Sequence, residues 1–342
     1  MDESPIALWC PLAPAVHPDW PTWAATAADW ASSFGLGGGH TARGRARAAA
    51  AGELAGRTVL RPAAPAGAQF AADSLLWLFT FDDEYCDHGG VGRSPNEMAI
   101  VVADLVRASE IGDTGSGAAS VRSLADLRKR LDALASPAQI CRWNHSMLLH
   151  LGYQVWMAAH RLQATLPSID EYVAGRIHNG GMEVCAVQLD IAEGYQVSTD
   201  DIARADVRAL TEIASCVVGV DNDIISHAKE HDDPFNLIDV IAGERGHTPP
   251  EALAATMALR DAALALYLRL REQVRSTVQP LTNRYLDGLS SWIRANLDWS
   301  AHSARYRTPG APAIVVVDTA PAPDQGFAPP PTISWWWDLT RG

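Results

Sequence analysis

The 342-residue sequence lacks the surplus of basic residues that phosphate-binding surfaces usually require. Its 27 lysines and arginines stand against 40 aspartates and glutamates, which gives a net charge of −13. This balance argues against a nucleic-acid partner, because no excess of cations is available to neutralise the phosphate backbone. Divalent cations would still allow an acidic protein to bind a phosphorylated substrate through carboxylates.

Cysteine pairs and long apolar runs are also missing. The five cysteines include no C-x-x-C pair, so we expect neither a disulfide framework nor a zinc site, and a reduced compartment fits better. The first residues, MDESPIALWCPLAP, lack the basic and apolar regions of a signal peptide. No apolar run approaches the ~18–20 residues of a membrane span. These absences predict a cytoplasmic protein without a membrane span.

Segments that favour β-strands are scarce, whereas helical patterns are abundant. From about Trp23 onward, apolar residues recur at spacings of three and four, with Ala, Leu, Arg and Glu dominant. The β-branched run IVVV at 314–317 is the exception. We therefore predict an all-α protein with an irregular segment at 1–22, one helical domain at 23–307 and a Pro-rich tail at 308–342. The predicted helices cover 24–34, 43–55, 68–86, 95–109, 120–134, 137–164, 169–179, 182–192, 200–230, 234–242, 249–277 and 281–304.

Three aspartates follow an apolar helical segment that ends at Phe81. They are Asp82, Asp83 and Asp87, in the sequence FDDEYCDHGG. On an α-helix Asp83 and Asp87 share a face, while Asp82 is offset by one residue. Clustered carboxylates repel each other unless cations arrive, and Mg²⁺ prefers such oxygen ligands. The alternative is a solvated acidic helix end, which the helix dipole disfavours.

A second row of oxygen donors lies in the sequence NDIISHAKE. Asn222, Ser226 and Glu230 are spaced four residues apart, so they lie along one stripe if the segment is helical. They offer amide, hydroxyl and carboxylate oxygens, which suit a hard cation. Lys229 stands beside the row, within reach of a phosphate. The alternative is a chance polar face on an ordinary helix.

The two motifs resemble the aspartate-rich motif and the N-D-x-x-S-x-x-x-E motif of bacterial class I terpene cyclases. Arg176 stands 46 residues before Asn222, where this family has a diphosphate-sensing arginine. The sequence WSAHSARY supplies Trp299, Arg305 and Tyr306 at the positions of the family's W-x5-R-Y motif. The resemblance covers residues from about 5 to 308. It implies a single-domain, class I terpenoid synthase-like helical bundle around a central apolar cavity.

The resemblance also implies roles for individual residues. Three Mg²⁺ ions, with Mn²⁺ as an alternative, would lie between two facing ligand sets, with Asp82 the principal ligand among the aspartates. The metal ligands would be Asp82, Asp83, Asp87, Asn222, Ser226 and Glu230. The groups that neutralise the departing diphosphate would be Arg176, Lys229, Arg305 and Tyr306.

Two positions depart from the family's commoner pattern. The aspartate-rich motif reads D-D-x-x-x-D, and Asn179 stands where the family often has aspartate. The following pair, Gly180-Gly181, predicts a helix break, because glycine tolerates the backbone that a break requires. We expect the carbonyl of Gly180, freed by that break, to face the carbocation.

Apolar and aromatic residues near the motifs are candidates for the cavity wall, with ordinary core packing as the alternative for each. Aromatic ring faces would also stabilise positive charge on the substrate. The candidates are Leu78, Phe79, Phe81, Val218 and Trp299. In the tail, three adjacent tryptophans at 335–337 are expected to dock on this protein's own surface or on a neighbour, or to form a lid.

The implied function is a Mg²⁺-dependent terpene cyclase that ionises a linear prenyl diphosphate, releases pyrophosphate and cyclises the carbocation. Farnesyl diphosphate is the favoured substrate, and mono- or diterpene precursors or methylated geranyl diphosphate are alternatives. More distant alternatives are a chain-elongating prenyltransferase and a non-catalytic helical interaction protein. A homodimer is compatible with the sequence.

Overall fold

The computed structural model describes residues 5–87, 90–113, 117–230, 233, 235–306, 312–322 and 327–340, without the side chain of residue 87. Helices dominate these residues, so the all-α prediction is confirmed. The helices are α1 Trp20–Phe34, α2 Ala42–Thr58, α3 Pro65–Phe81, α4 Pro95–Ile111, α5 Ala119–Leu134, α6 Pro137–Gln163, α7 Ile169–Asn179, α8 Met182–Ala192, α9 Thr199–Ala203, α10 Ala205–Ser226, α11 Leu237–Arg245, α12 Pro249–Arg275, α13 Pro280–His302 and α14 Trp335–Asp338; the strands are β1 Ile6–Trp9 and β2 Ile314–Val317.

The predicted helix over 200–230 is wrong in two respects. The chain is extended at Arg204, with φ −64° and ψ 138°, and this residue separates α9 from α10. Helix α10 then ends at Ser226, so Glu230 lies beyond the helix. The three oxygen donors at 222, 226 and 230 therefore do not form one helical stripe.

The contacts divide the chain into two compact units, which differ from the segments predicted at 1–22, 23–307 and 308–342. One unit, here called the α3 unit, comprises Ala15–Thr165 and Glu183–Val197. The other, here called the α10 unit, comprises Met1–Pro14, Leu166–Met182 and Ser198–Gly342. Both ends of the chain thus contribute to the α10 unit.

Helix α3 forms the centre of its unit, where it packs against α1, α2 and α5. It is buried along nearly its whole length, including Phe70, Leu76 and Trp77. Helix α4 packs against both α5 and α6 within the same unit. A helix that is apolar on all sides is typical of a protein core, so the C-terminal end of α3 is held in a fixed place.

Helix α10 has the same position in its own unit, where it contacts α7, α12 and α13. Its buried residues point in every direction around the axis and include Ile213, Val217, Val220 and Ile224. The packing therefore fixes the C-terminal end of α10, where Asn222 and Ser226 lie.

A two-stranded parallel sheet lies in the α10 unit, with Ile6 opposite Ile314. The predicted irregular segment at 1–22 thus contains a strand, and the IVVV run is its partner. Strand β1 is also tied to helices, because Arg260 donates to the carbonyl of Trp9. Arg260 in turn forms a fully buried ion pair with Asp221 of α10, at 2.7 Å between Nε and Oδ1.

The tryptophan cluster packs against helices of the α10 unit. Trp336 is fully buried, and its indole N–H donates to Glu212 Oε2 of α10 at 3.0 Å. Arg208 lies 5.3 Å from the ring centroid of Trp335, a cation–π contact. The backbone N–H of Thr332 donates to Asp170 of α7 at 2.7 Å. Of the predicted alternatives, these contacts fit docking on the protein's own surface.

Among the described residues, no helix combines the length and the apolar character that crossing a membrane requires.

Candidate active site

The aspartate-rich segment begins where α3 ends. Residues Asp82–Asp87 form a π-helical turn directly after Phe81. A π-turn has i→i+5 hydrogen bonds, so backbone positions 82 and 87 lie one turn apart. The aspartates therefore lie on a π-turn and not on the α-helix that the prediction assumed, and their relative facing stays a prediction. The side chain of Asp87 lies outside the described part of the structure.

The described aspartates of this segment differ in their surroundings. Asp83 is 9% exposed and pairs with Arg47 of α2, at 2.7 Å from Nη2 and 2.8 Å from Nε to the same carboxylate oxygen. Arg47 also donates to the carbonyl of Gly37 at 3.1 Å. Asp82 is half-buried. Asp83 thus has a structural partner that the sequence analysis missed, and no local pattern in the sequence pointed to Arg47.

Three aromatic rings form a column along α3 and the π-turn. Phe81 stacks between Trp77 and Tyr85, with centroid distances of 5.4 Å on both sides. Trp77 donates to the carbonyl of Ser120 at 2.9 Å, and the hydroxyl of Tyr85 lies 2.9 Å from the Ser120 hydroxyl. Among the predicted cavity residues, Phe81 is enclosed in this column.

The other two candidates on α3 differ from each other in exposure. Leu78 is buried, whereas Phe79 is half-buried between buried neighbours. A half-buried aromatic residue on an otherwise buried helix is compatible with an opening at that place. On α10, Val218 is likewise half-buried, whereas both its neighbours in the chain are buried.

Helix α7 positions the predicted arginine. Ser168 caps its N-terminus in a capping box with Glu171. The helix ends at Asn179, and Gly181 adopts a left-handed φ of 71° before α8 begins. The predicted break at Gly180-Gly181 is therefore present, and it follows Arg176 by one turn.

Arg176 joins α7 to the end of α10. Its Nη2 donates to Asn222 Oδ1 at 2.7 Å and to the carbonyl of Gly219 at 3.1 Å. The same nitrogen lies 2.9 Å from Asp223 Oδ1. Its Nη1 donates to Asn179 Oδ1 at 3.0 Å. The amide at position 179 therefore retains a link to the arginine.

The oxygen donors after Arg176 are engaged with protein partners. The amide N–H of Asn222 donates to the hydroxyl of Tyr306 at 2.7 Å. The hydroxyl of Ser226 donates to Glu230 Oε2 at 2.7 Å, and Lys229 Nζ lies 3.8 Å from the other oxygen of that carboxylate. Although Glu230 is outside the helix, a turn brings its side chain back to Ser226.

The predicted C-terminal motif lies at the end of α13. Trp299 is buried, and its ring meets the ring of Tyr306 edge-on at 5.7 Å. Arg305 precedes Tyr306 in a short 3₁₀ turn and is half-buried. The structure thus brings Tyr306 to Asn222 across 84 residues of sequence.

Burial controls the charges around Arg176. It raises the pKa of Asp223 to about 6, although Arg176 and Tyr172 oppose that rise. Burial and the Asp223 carboxylate hold the pKa of Tyr172 well above its usual value. Burial lowers the pKa of Arg176, but Asp223, Tyr172 and Glu230 together outweigh this effect and the net shift is upward. At neutral pH, Asp223 and Arg176 are charged and Tyr172 is protonated.

Tyr172 and Asp223 were both missed by sequence reasoning, although signals existed for each. Tyr172 stands one helical turn before Arg176. Asp223 is the second residue of the quoted motif NDIISHAKE. Asp223 contacts Arg176 and Tyr172 donates to Asp223, so both residues are part of the framework around Arg176.

The donor chemistry of the α10 unit fits a divalent cation and a diphosphate. Amide, hydroxyl and carboxylate oxygens are the ligand types that Mg²⁺ takes. The Nε of Arg176 is a buried donor with no hydrogen-bond partner among the described residues, which suits an incoming anion. The described residues hold no group of three or more His, Cys, Asp or Glu placed to bind a metal by themselves. Amide, hydroxyl and phosphate oxygens would have to complete such a site.

Comparison with known proteins places these motifs in context. Residues 73–265 match the family model for terpene synthase family 2, C-terminal metal binding. The chain is 36% identical to (+)-(1(10)E,4E,6S,7R)-germacradien-6-ol synthase of Streptomyces pratensis, over 98% of this chain and 96% of that protein. It is also 36% identical to (+)-T-muurolol synthase ((2E,6E)-farnesyl diphosphate cyclizing) of Streptomyces clavuligerus, over 99% of this chain and 83% of the other.

Solved structures show the same fold. The crystal structure of the SVS_A2 protein, from ancestral sequence reconstruction, superposes with a TM-score of 0.83 at 28% identity, over 98% of both chains.

Proposed function

Since the chain belongs to the bacterial terpene synthase family and is therefore a terpene cyclase, we propose that it is a Mg²⁺-dependent enzyme that cyclises farnesyl diphosphate. The metal-binding description of the matching family model supports metal dependence. The choice of farnesyl diphosphate rests on the (+)-T-muurolol synthase relative, whose name specifies that substrate.

One observation carries the proposal. Arg176 and Asn222 are 46 residues apart in sequence, and their side chains meet at 2.7 Å between Nη2 and Oδ1. A guanidinium that contacts an amide oxygen donor in this way can bind a phosphate oxygen beside a metal that the same amide ligates. This is the pairing that a diphosphate-binding site needs.

We propose that two sets of residues are Mg²⁺ ligands. The set on the α3 unit would be Asp82, Asp83 and Asp87, and the set on the α10 unit would be Asn222, Ser226 and Glu230. When bound, Mg²⁺ supplies Lewis-acid neutralisation of the departing diphosphate. Binding of a cation by Ser226 and Glu230 would replace the 2.7 Å hydrogen bond between them.

The remaining polar residues would orient the leaving group. Arg176, Lys229, Arg305 and Tyr306 are donors that can neutralise and fix the diphosphate oxygens. The carbonyl of Gly180, at the break after α7, would present a negative dipole to the carbocation.

The apolar candidates would shape the substrate and exclude water, which would otherwise quench the cation. Of these we favour Leu78 and Phe79 on α3, Val218 on α10 and Trp299 on α13. Phe81 is a less favoured candidate for contact with the substrate, because both faces of its ring are covered by Trp77 and Tyr85.

Gas chromatography–mass spectrometry of incubations with geranyl, farnesyl and geranylgeranyl diphosphate tests the proposal. A cyclic fifteen-carbon product from farnesyl diphosphate is expected with Mg²⁺, and none with EDTA. Cyclic products from another chain length alone would contradict the substrate assignment. Longer prenyl diphosphates, formed only when isopentenyl diphosphate is added, would indicate a chain-elongating enzyme instead.

A further inference from the structure

Tyr172 lies on α7, one turn before Arg176, and is almost completely buried. Its hydroxyl donates to Asp223 Oδ2 at 3.0 Å and lies 3.4 Å from the carbonyl oxygen of Phe235. Because burial and the Asp223 carboxylate hold its pKa well above the usual value, the hydroxyl keeps its proton. Tyr172 is therefore a permanent donor to Asp223.

Asp223 is held at both carboxylate oxygens. Oδ2 accepts from Tyr172, and Oδ1 lies 2.9 Å from Arg176 Nη2. The residue is 3% exposed. A carboxylate fixed at both ends in a dry environment cannot rotate without breaking one charge-assisted hydrogen bond. Asp223, which helps to orient the Arg176 guanidinium, is therefore itself held in place by Tyr172.

Tyr172 also contacts Phe235, which follows Asn222 and Ser226 in the sequence. The ring of Tyr172 lies 5.5 Å from that of Phe235. The next residue, Asn236, donates from its side chain to the backbone carbonyl of Asp223 at 2.9 Å and caps α11 by accepting from Ile238 N–H at 3.0 Å. The segment after Ser226 thus returns to the end of α10 beside Tyr172.

We infer that Tyr172 is a positioning residue, which holds Asp223 so that Asp223 holds the Arg176 guanidinium beside Asn222. It touches neither metal nor substrate in this role. The inference rests on the proposed function, because it assigns Tyr172 to the placement of the group that binds diphosphate. Without the hydroxyl, Asp223 Oδ2 loses its donor, and Asp223 no longer holds the guanidinium as firmly beside Asn222.

Tyr172→Phe removes only the hydroxyl, and the chain offers a matched control. Tyr267 of α12 is also fully buried, and its hydroxyl donates to the carbonyl of Leu286 at 3.0 Å and lies 2.8 Å from Ser290 Oγ of α13. None of these partners belongs to the candidate site. Tyr267→Phe therefore reports the cost of losing a buried tyrosine hydroxyl without any effect on Arg176.

The measurements are the melting temperature without ligand, the Kd for inorganic pyrophosphate with Mg²⁺ by calorimetry, and kcat and KM. Both variants should melt at similarly reduced temperatures. Only Tyr172→Phe should bind pyrophosphate about tenfold more weakly, which corresponds to about 1.4 kcal/mol. In an Asp223→Asn background, Tyr172→Phe should cause no further loss of pyrophosphate binding, because the contact from Tyr172 through the Asp223 carboxylate to Arg176 is already broken.

The outcomes separate the two proposals. If the wild-type protein fails to bind pyrophosphate with Mg²⁺, the proposed function fails. If the wild type binds and Tyr172→Phe binds equally well, the positioning role is overturned and Tyr172 is only structural. Should Tyr172→Phe not fold, Asp223→Asn provides the same decision, since unchanged pyrophosphate binding in that variant also overturns the role.

Discussion

The ends of α3 and α10 both carry oxygen donors, but their protein partners differ. At α10, Asn222 lies between Arg176 and Tyr306, and Ser226 is bonded to Glu230. At α3, the described contacts fix Asp83 through Arg47. The donors of α10 thus contact one another and Arg176, a diphosphate-binding candidate, whereas Asp83 at the end of α3 pairs with an arginine of α2.

The contacts at the ends of the two helices differ in which existing interactions a bound metal ion would disturb. At α10, a Mg²⁺ ion bound by Ser226 and Glu230 would replace the hydrogen bond between these two residues. Binding there would therefore cost an existing contact. At α3 the Arg47–Asp83 pair is nearly buried, with side-chain exposures of 10% each. That pair supports the structure of its unit, so its loss should be felt in stability.

The largest expected effect comes from deleting one donor in each region. Asp82→Ala and Asn222→Ala should each lower turnover of farnesyl diphosphate by about 10²- to 10³-fold, because each removes a group that stabilises developing charge. Asn222→Ala should also lower the melting temperature, since it removes a partner of Arg176 and of Tyr306.

Product formation, circular dichroism and thermal melts check this pair of variants, with the exposed Asp104→Ala as the control. Helicity should be retained in all three proteins. An Asn222→Ala melting temperature equal to that of the Asp104→Ala control would contradict the structural role of the Asn222 contacts.

A smaller effect is expected for Arg47→Met, which removes the ion-pair partner of the buried Asp83 carboxylate. The free energy of unfolding should fall by about 3 kcal/mol, because removing one partner of a buried ion pair is costly. Arg57→Met on the same helix is the control, and the loss of its i,i+4 pair with Glu53 should cost about 0.5 kcal/mol. Urea denaturation measures both, and similar losses would show that the Arg47–Asp83 pair is no more than a surface contact.

The smallest effect concerns pH and a second carboxylate on α3. Asp73 is buried beside Arg130, at 2.7 Å, and burial raises its pKa from 3.8 to about 6, although Arg130 opposes the rise. The folded state then binds the proton more tightly than the unfolded state. Stability from this group is present at low pH and is lost as pH rises from about 4 to about 6.

Asp73→Asn should lack that loss. As the pH rises across this range, the unfolding free energy of the wild type should therefore fall by about 2–3 kcal/mol relative to that of the variant. Urea titrations at several pH values measure the difference, and parallel profiles would contradict the assigned pKa.

Local patterns in the sequence predicted much of this molecule. Apolar spacing predicted most helices, the double glycine predicted the break after α7, and the spaced motifs predicted the terpene cyclase family that the relatives confirm. These features depend on neighbours within a few turns or on fixed separations along the chain. Mg²⁺ as the metal and the individual ligand roles stay predictions.

Other features depend on partners that local patterns cannot supply. The end of α10 at Ser226 has no glycine or proline to mark it, and side-chain contacts from Glu230 and Asn236 shape the turn. Arg47 lies 36 residues from Asp83, with no motif linking them. The register of β1 on β2 joins residues at opposite ends of the sequence.

That sheet has a consequence for biogenesis. Trp9 of β1 donates to the carbonyl of Asp318, 309 residues later, so the first strand has no partner until nearly all of the described chain has left the ribosome. Residues 15–165, by contrast, are contiguous and form most of the α3 unit. During synthesis the contiguous part of the α3 unit can therefore condense early, whereas β1, which precedes it, stays without its partner strand until β2 has been synthesised.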